Sequence, residues 1–223
     1  MTQGASLRRV PRQERGERRI PRQERGERRI AAILDAAEGV IAEVGYEAAT
    51  TNAIAARAHT SIGSLYQFFP NKEAIVRALS DRYLAELRAL FDRVFAPDTS
   101  ALPLPALLDD MIDPLADFYV KHAGFKPLFA SAGAPMCVLP PFEDIDQEVV
   151  ERVERMLAAR APDLDPARRG LYATVSTYIV KGLLPLTDQH DGAPASRREV
   201  VGEIKRALGA YLERALDPSA SST

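Results

Sequence analysis

Apolar residues recur at intervals of three and four over most of this chain, and no stretch alternates over enough positions to mark a strand. From Ile30 onward, Ile33, Leu34, Ala37, Ile41 and Val44 make the stripe of an amphipathic helix, which Gly45 is placed to end. Ile54, Ala55 and Ala58 give a second, short helix, entered through Thr50 and Thr51, either of which can cap its first free amides. Ser61 stands before a third, with Leu65, Phe68 and Phe69 turned inward and Ser64 and Gln67 outward. After the break at Pro70-Asn71, Asn71 caps a long helix from Lys72 to about Phe95, buried along Ile75, Leu79, Leu84, Leu87, Leu90, Phe91 and Val94. At 1.5 Å per residue that helix would span about 36 Å, enough to tie one end of the molecule to the other. Further helices are predicted near 104–124, 126–132, 142–161, 166–188 and 196–215, with Pro114 expected to kink the first of them. The last carries Val200, Val201, Ile204, Leu208, Tyr211, Leu212 and Leu216 on one broad face. The fold class is therefore all-α.

Proline and glycine supply the punctuation. Ala96 to Pro105 holds three prolines and reads as a loop, and Gly124, Gly133 to Pro141 and Pro162 to Pro166 separate the later helices. Residues 11–20 and 21–30 are the same decamer, PRQERGERRI, in tandem; two short units without an apolar face cannot build a solenoid. Pro11 and Pro21 disfavour one helix through both copies, so the first helix is expected to begin near Gln23 to Glu27. The division that follows is a basic arm at 1–22, a small helical head at 23–71, a larger helical body at 72–216 and a tail at 217–223.

Charge changes the picture of the arm. Net charge is −2, yet residues 1–30 hold ten arginines against four glutamates, a local +6 that leaves −8 on the rest. A basic arm on an acidic body suits a protein that meets phosphates at one end only. Between Ala31 and Lys72 there are four acids and two bases, Arg57 and Lys72, so that stretch itself is not basic and any attraction to phosphates must come largely from the arginines before it. One cysteine, Cys137, rules out an internal disulfide framework, and no apolar run approaches a membrane span; a cytoplasmic protein with no membrane partner is expected.

Thr50 to Lys72 thus reads as a helix, a tight turn and a second helix, the geometry that lays a helix in the major groove. In order and spacing, Thr50-Thr51, Ile54-Ala55, Ala58, Ser61, Gly63, Leu65-Tyr66, Phe69 and Lys72 resemble the DNA-binding signature of the TetR family of bacterial transcriptional regulators. The likeness covers about residues 27 to 80. It departs in the turn, where His59-Thr60 replace the family's usual glycine and small β-branched residue; turn glycines often hold a positive φ, which histidine adopts at a cost.

The resemblance implies an N-terminal three-helix DNA-binding domain and a C-terminal helical domain for ligand binding and dimerisation. By position it implies contacts to the DNA backbone from Thr51, Ser61, Tyr66 and Lys72, with Thr50 beside them. Arg28 and Arg29, near the start of the first helix, would lie close to its DNA-facing end. Base reading falls to the outward residues of the second helix of the motif: Ile62, Gly63, Ser64 and Gln67. Gln67 can pair bidentately with adenine, Gly63 lets backbone come close, and Ile62 can meet a thymine methyl. Phe69 reads as core.

In the body, Phe118, Tyr119, His122 and Phe125 fall within about two helical turns, and Met111, Phe129, Met136, Tyr172 and Tyr178 are further apolar or amphipathic candidates. The simplest account of such a set is plain core. Under the resemblance, some of them line a pocket for an unknown small-molecule effector, with His122, Tyr172 and Tyr178 as polar anchors. Helices 166–188 and 196–215 resemble the pair through which the family forms homodimers. The acidic run Glu143, Asp144, Asp146, Glu148, Glu151 and Glu154 lacks the pattern of a calcium loop, and Asp188, His190 and Asp191 read as a polar turn. No catalytic set, metal site or cofactor is expected. The function that follows is a DNA-binding transcriptional repressor, homodimeric on a palindromic operator and released by its effector. A small helical enzyme with a degenerate helix-turn-helix, and an effector-free architectural DNA binder, are the alternatives.

Overall fold

A computed structural model describes residues 22–96, 101–129, 139–187 and 195–217. The first decamer, Met136, Cys137, Asp188, His190 and Asp191 lie outside these residues. Nine α-helices are described: α1 (Arg22–Ala48), α2 (Thr51–Arg57), α3 (Ile62–Tyr66), α4 (Lys72–Val94), α5 (Leu104–Lys121), α6 (Phe125–Phe129), α7 (Leu139–Arg160), α8 (Pro166–Leu183) and α9 (Arg197–Ala215). A 3-10 turn at Leu184–Thr187 extends α8, and among the described residues there is no strand. No helix among them is long and apolar enough to cross a membrane.

Local chemistry accounts for five of the nine described helix starts. Thr50, Ser61, Asn71, Asp165 and Ser196 are N-caps whose side-chain oxygens accept from amides of the first turn. Each such cap stabilises its helix by about 1 kcal/mol. Ser196 and Glu199 close a reciprocal capping box at the start of α9. Gly45 has φ 77°, a value that suits glycine, and a last turn to Ala48 follows it. α5 runs on through Pro114 to Lys121, and α8 stops at Leu183, short of its predicted end.

The buried side chains join into one connected core from Ile33 to Leu212. α1 packs against α2, α4 and α6, while α4 continues past the head to pack on α5 and α7. The body is closed by α7 against α8, α8 against α9, and α9 against α5. All seven residues expected on the inner side of α4 are buried. Val44 is not: it is 52% exposed, because the chain turns at Gly45 and leaves it on the rim of α1.

Candidate nucleic-acid interface and body cavity

The helix-turn-helix is held by its own short side chains. Thr50 Oγ1 accepts from Ala53 N at 3.1 Å, and Ser61 Oγ accepts from Ser64 N at 3.1 Å while donating to Ser64 Oγ at 2.9 Å. Thr51 Oγ1 and the Tyr66 hydroxyl lie 3.2 Å apart, joining the start of α2 to the end of α3. Between them His59 takes φ 50°, the left-handed geometry that the turn requires, so histidine carries what glycine would carry without strain. Ile54, Ala55, Leu65 and Phe69 are buried beneath the motif.

On the outer surface Ile62, Gly63 and Gln67 are exposed, Ser64 is half-buried and Tyr66 is 49% exposed. A Cβ at Gly63 would meet nothing within 4 Å, so α3 presents open backbone there. Arg28 is paired with Glu24 at 2.6 Å near the beginning of α1, and Arg29 is exposed next to it.

Both bases between Ala31 and Lys72 are engaged within the protein. Arg57 pairs with Glu43 at 2.6 Å and lies against Gly39 of α1, where a Cβ would sit 2.7 Å from its guanidinium. Lys72 Nζ donates to the carbonyls of Tyr46 at 2.9 Å and Glu47 at 3.3 Å, and sits 4.2 Å from the centre of the Tyr46 ring. Lys72 therefore satisfies the C-terminal carbonyls of α1, a role that its position at the start of α4 does not reveal in sequence.

A polar junction joins head to body. His122, at the end of α5, is buried between two carboxylates: Nδ1 lies 3.1 Å from Glu38 Oε1 on α1, and Nε2 lies 2.9 Å from Glu86 Oε2 on α4. Glu38 also accepts from Arg82 at 2.8 Å, and Glu86 from Lys121 at 2.6 Å. Burial pushes the Glu86 carboxyl up, but the hydrogen bonds from Lys121 and His122 outweigh it and hold the group below its ordinary range. The Tyr83 ring stands at the centre of an aromatic cluster, 4.9 Å from His122, 5.5 Å from Phe125 and 6.0 Å from Phe129. Burial, then the nearby Glu38 charge, drives its phenol well above the usual range.

The helices of the body surround an open cavity of about 630 Å³, walled mainly by aliphatic and aromatic side chains. Of the residues expected there, Met111, Tyr119, Phe125, Phe129 and Tyr178 line it. Phe118 and His122 instead pack around Tyr83, and Tyr172 packs edge-on against Tyr211 of α9 at 6.0 Å. Missed from sequence were Leu87, Phe91 and Val94 of α4, which also line it, and the polar residues Asp146, Ser176, Thr177 and Lys181. Asp146 and Lys181 are paired, Thr177 Oγ1 donates to the Ala173 carbonyl at 2.9 Å, and the Ser176 hydroxyl is buried without a partner. Burial, with a smaller push from Asp146, raises the Tyr119 phenol to about 12.

Comparison with known proteins gives matches at both ends. Residues 33–79 match the family model described as bacterial regulatory proteins, tetR family, and residues 103–212 match the tetracyclin repressor-like C-terminal domain. A TetR-family transcriptional regulator from Streptomyces coelicolor is 28% identical, with a TM-score of 0.54 over 84% of this chain and 99% of that one. A TetR-like transcriptional regulator from Rhodococcus sp. RHA1 is 19% identical, with a TM-score of 0.65 over 86% and 97%. A transcriptional regulator from Aquifex aeolicus is 16% identical, with a TM-score of 0.61 over 82% and 98%. At these last two identities the likeness is one of fold. The curated proteins contain no match. With a helix-turn-helix head and a helical body each matched by a family model, the chain belongs to the TetR family of bacterial regulatory proteins and is a DNA-binding transcriptional regulator.

Proposed function

We propose that this regulator is a repressor that grips a palindromic operator as a homodimer in the cytoplasm and lets go when a small molecule fills the body cavity. The observation that carries the reading is the course of two helices. α4 starts at the Asn71 cap beside the helix-turn-helix and ends in Leu87, Phe91 and Val94 on the cavity wall. α6 puts Phe125 and Phe129 on the same wall and packs against α1. A molecule in the cavity thus presses on both supports of the head, and the Glu38–His122–Glu86 bridge couples them. It shifts the head only as far as it binds one arrangement better than the other.

On DNA, Thr50, Thr51, Ser61, Tyr66 and Lys72 contact the backbone together with Arg28 and Arg29, while Ile62, Gly63, Ser64 and Gln67 face the bases. The exposure of Ile62, Gly63, Tyr66 and Gln67 supports this. Dimerisation runs through α8 and α9. Leu171 and Tyr178 are more than half exposed on α8 while Ala173 and Thr177 are buried, so that helix has apolar groups on its outer side as well. Two recognition helices about 34 Å apart reach successive turns of the groove. The body serves binding and not catalysis, in keeping with a family of regulators.

Anisotropy with DNA from upstream of the protein's own gene, followed by challenge with a metabolite panel, tests both halves. Specific binding with release by one compound is the expected result. Binding that no cavity ligand can reverse would leave an effector-free architectural binder.

A further inference from the structure

We infer that DNA binding by this regulator responds to pH, through a proton that the Glu38–His122–Glu86 array holds only while the head is docked on the body. No effector and no part of the cavity is involved.

His122 is only 4% exposed, and each of its ring nitrogens faces a carboxylate oxygen: Nδ1 toward Glu38 at 3.1 Å and Nε2 toward Glu86 at 2.9 Å. A neutral imidazole has one N–H and an ionised carboxylate has none. Both contacts are hydrogen bonds only if the array takes up one further proton. The neighbours favour that proton. Along the bonded chain Asp35 meets Arg82, Arg82 meets Glu38, Glu38 meets His122, His122 meets Glu86, and Glu86 meets Lys121. With the ring as a cation the six charges alternate in sign and cancel. With a neutral ring, a bare nitrogen lone pair is held against a carboxylate in a mostly buried seam. Burial pushes the Glu86 carboxyl up, yet its bonds hold it below its ordinary range, which favours the proton on the ring over this carboxylate. Around the ring α4 adds the Tyr83 phenol, driven well above its usual range by burial and then by Glu38, and α5 adds Phe118 at 4.6 Å. The one charged residue of α6 is Lys126.

When the array opens, ring and carboxylates meet water and the further proton is no longer held. The docked arrangement thus binds more protons than the undocked one, so its population falls as pH rises. The head feels this through α1, which packs on α2 of the helix-turn-helix and is tied to α4 and α5 by these bonds. A head docked only part of the time binds DNA more weakly by the fraction lost.

The test is fluorescence anisotropy of the full chain on a duplex that the protein itself has selected from a random pool, at a series of pH values spanning the ordinary range of histidine. Glu38→Gln is the deciding variant. Its amide oxygen can accept from Arg82 while its N–H donates to Nδ1 of a neutral ring, whose Nε2–H still serves Glu86, so both contacts survive without the further proton. Asp35→Asn removes the same charge at the far end of the chain, beyond Arg82, and leaves both carboxylates of the ring in place. His59, exposed in the turn before α3, is common to all three proteins and cancels. As pH rises, the parent and Asp35→Asn are expected to lose affinity together, about tenfold more over the series than Glu38→Gln loses, the scale of one hydrogen bond to a charged group. At the alkaline end, Glu38→Gln is expected to resist urea at least as well as the parent. A parent affinity that does not fall with rising pH overturns the proposal, as does a Glu38→Gln affinity that falls in step with it. So does an Asp35→Asn response as flat as that of Glu38→Gln, or a Glu38→Gln chain less stable than the parent at the alkaline end.

Discussion

The outer face of α2 and α3 and the wall of the body cavity are both helical surfaces carrying hydroxyls, and they treat those hydroxyls in opposite ways. On the head, Thr50, Thr51, Ser61 and Tyr66 all bond within the motif, Thr50 and Ser61 at helix ends and Thr51 and Tyr66 with each other, at 2.9 to 3.2 Å. In the body, Ser176 bonds nothing. The hydroxyls of the head are thus satisfied within the protein. The buried hydroxyl of the body is not. A surface that reads DNA must keep its shape in the absence of DNA, while a cavity that senses a ligand must differ between empty and full states.

The junction between the two regions gives the largest expected effect. Glu38→Ala removes a carboxylate that accepts from Arg82 and faces His122 at a mostly buried seam, leaving Arg82 with Asp35 and His122 with Glu86 as their remaining partners. A loss of about 2 kcal/mol in unfolding free energy is expected, the scale of lost hydrogen bonds to a charged group and below that of an uncompensated buried charge, because Arg82 keeps Asp35 and His122 keeps Glu86. Urea denaturation measures it. A loss under about 0.5 kcal/mol, within the range of ordinary surface substitutions, would mean that head and body are joined by apolar packing alone.

Next comes the response to alkali. The Tyr119 phenol in the cavity wall stands at about 12, above its ordinary 10.0. For a group whose folded value is raised, the stabilisation is whole below the unfolded value and is lost as pH climbs through the folded one. Stability should therefore fall between pH 10 and 12, by on the order of 2 kcal/mol from this residue. Thermal melts of the parent and of Tyr119→Phe should diverge across that window, with the phenylalanine variant losing less.

The same contrast explains what could be read in the chain beforehand. Helix existence was legible throughout, because spacings of three and four report which face is buried, and the caps at Thr50, Ser61 and Asn71 are local signals spanning three residues. The cavity was legible only in part. Periodicity marks Leu87, Phe91 and Val94 as inward but cannot say whether they meet other side chains or open space. Phe118, His122 and Tyr172 have the composition of a pocket, yet they fill gaps between helices. The Glu38–His122 contact joins residues 84 apart, and nothing local announces it. Ser176 reads as an ordinary polar position on a helix until its surroundings are known.

Two matched serine substitutions sharpen the comparison directly. Ser61→Ala removes the cap of α3 and should destabilise the protein by about 1 kcal/mol, whereas Ser176→Ala should cost nothing in the absence of ligand. Chemical denaturation of both variants in one buffer is the measurement. Equal losses would erase the distinction between a satisfied head and an unsatisfied cavity.

The smallest effect separates two residues of the head that share one proposed role. Tyr66 is neutral and exposed, so losing its hydroxyl in Tyr66→Phe should weaken binding a few-fold on every sequence and leave the salt dependence as it was. Lys72 is a cation, and if it neutralises a phosphate its removal must release one fewer counterion. The slope of log K against log salt should then flatten by about 0.9 in Lys72→Ala. Two of the three donors of its amine already serve the carbonyls of Tyr46 and Glu47, which leaves one for DNA. Salt titrations of operator binding for both variants decide the matter. A Lys72→Ala slope equal to that of the parent would assign this lysine wholly to holding the end of α1, and the positive charge that meets DNA would then belong to the arginines ahead of the head.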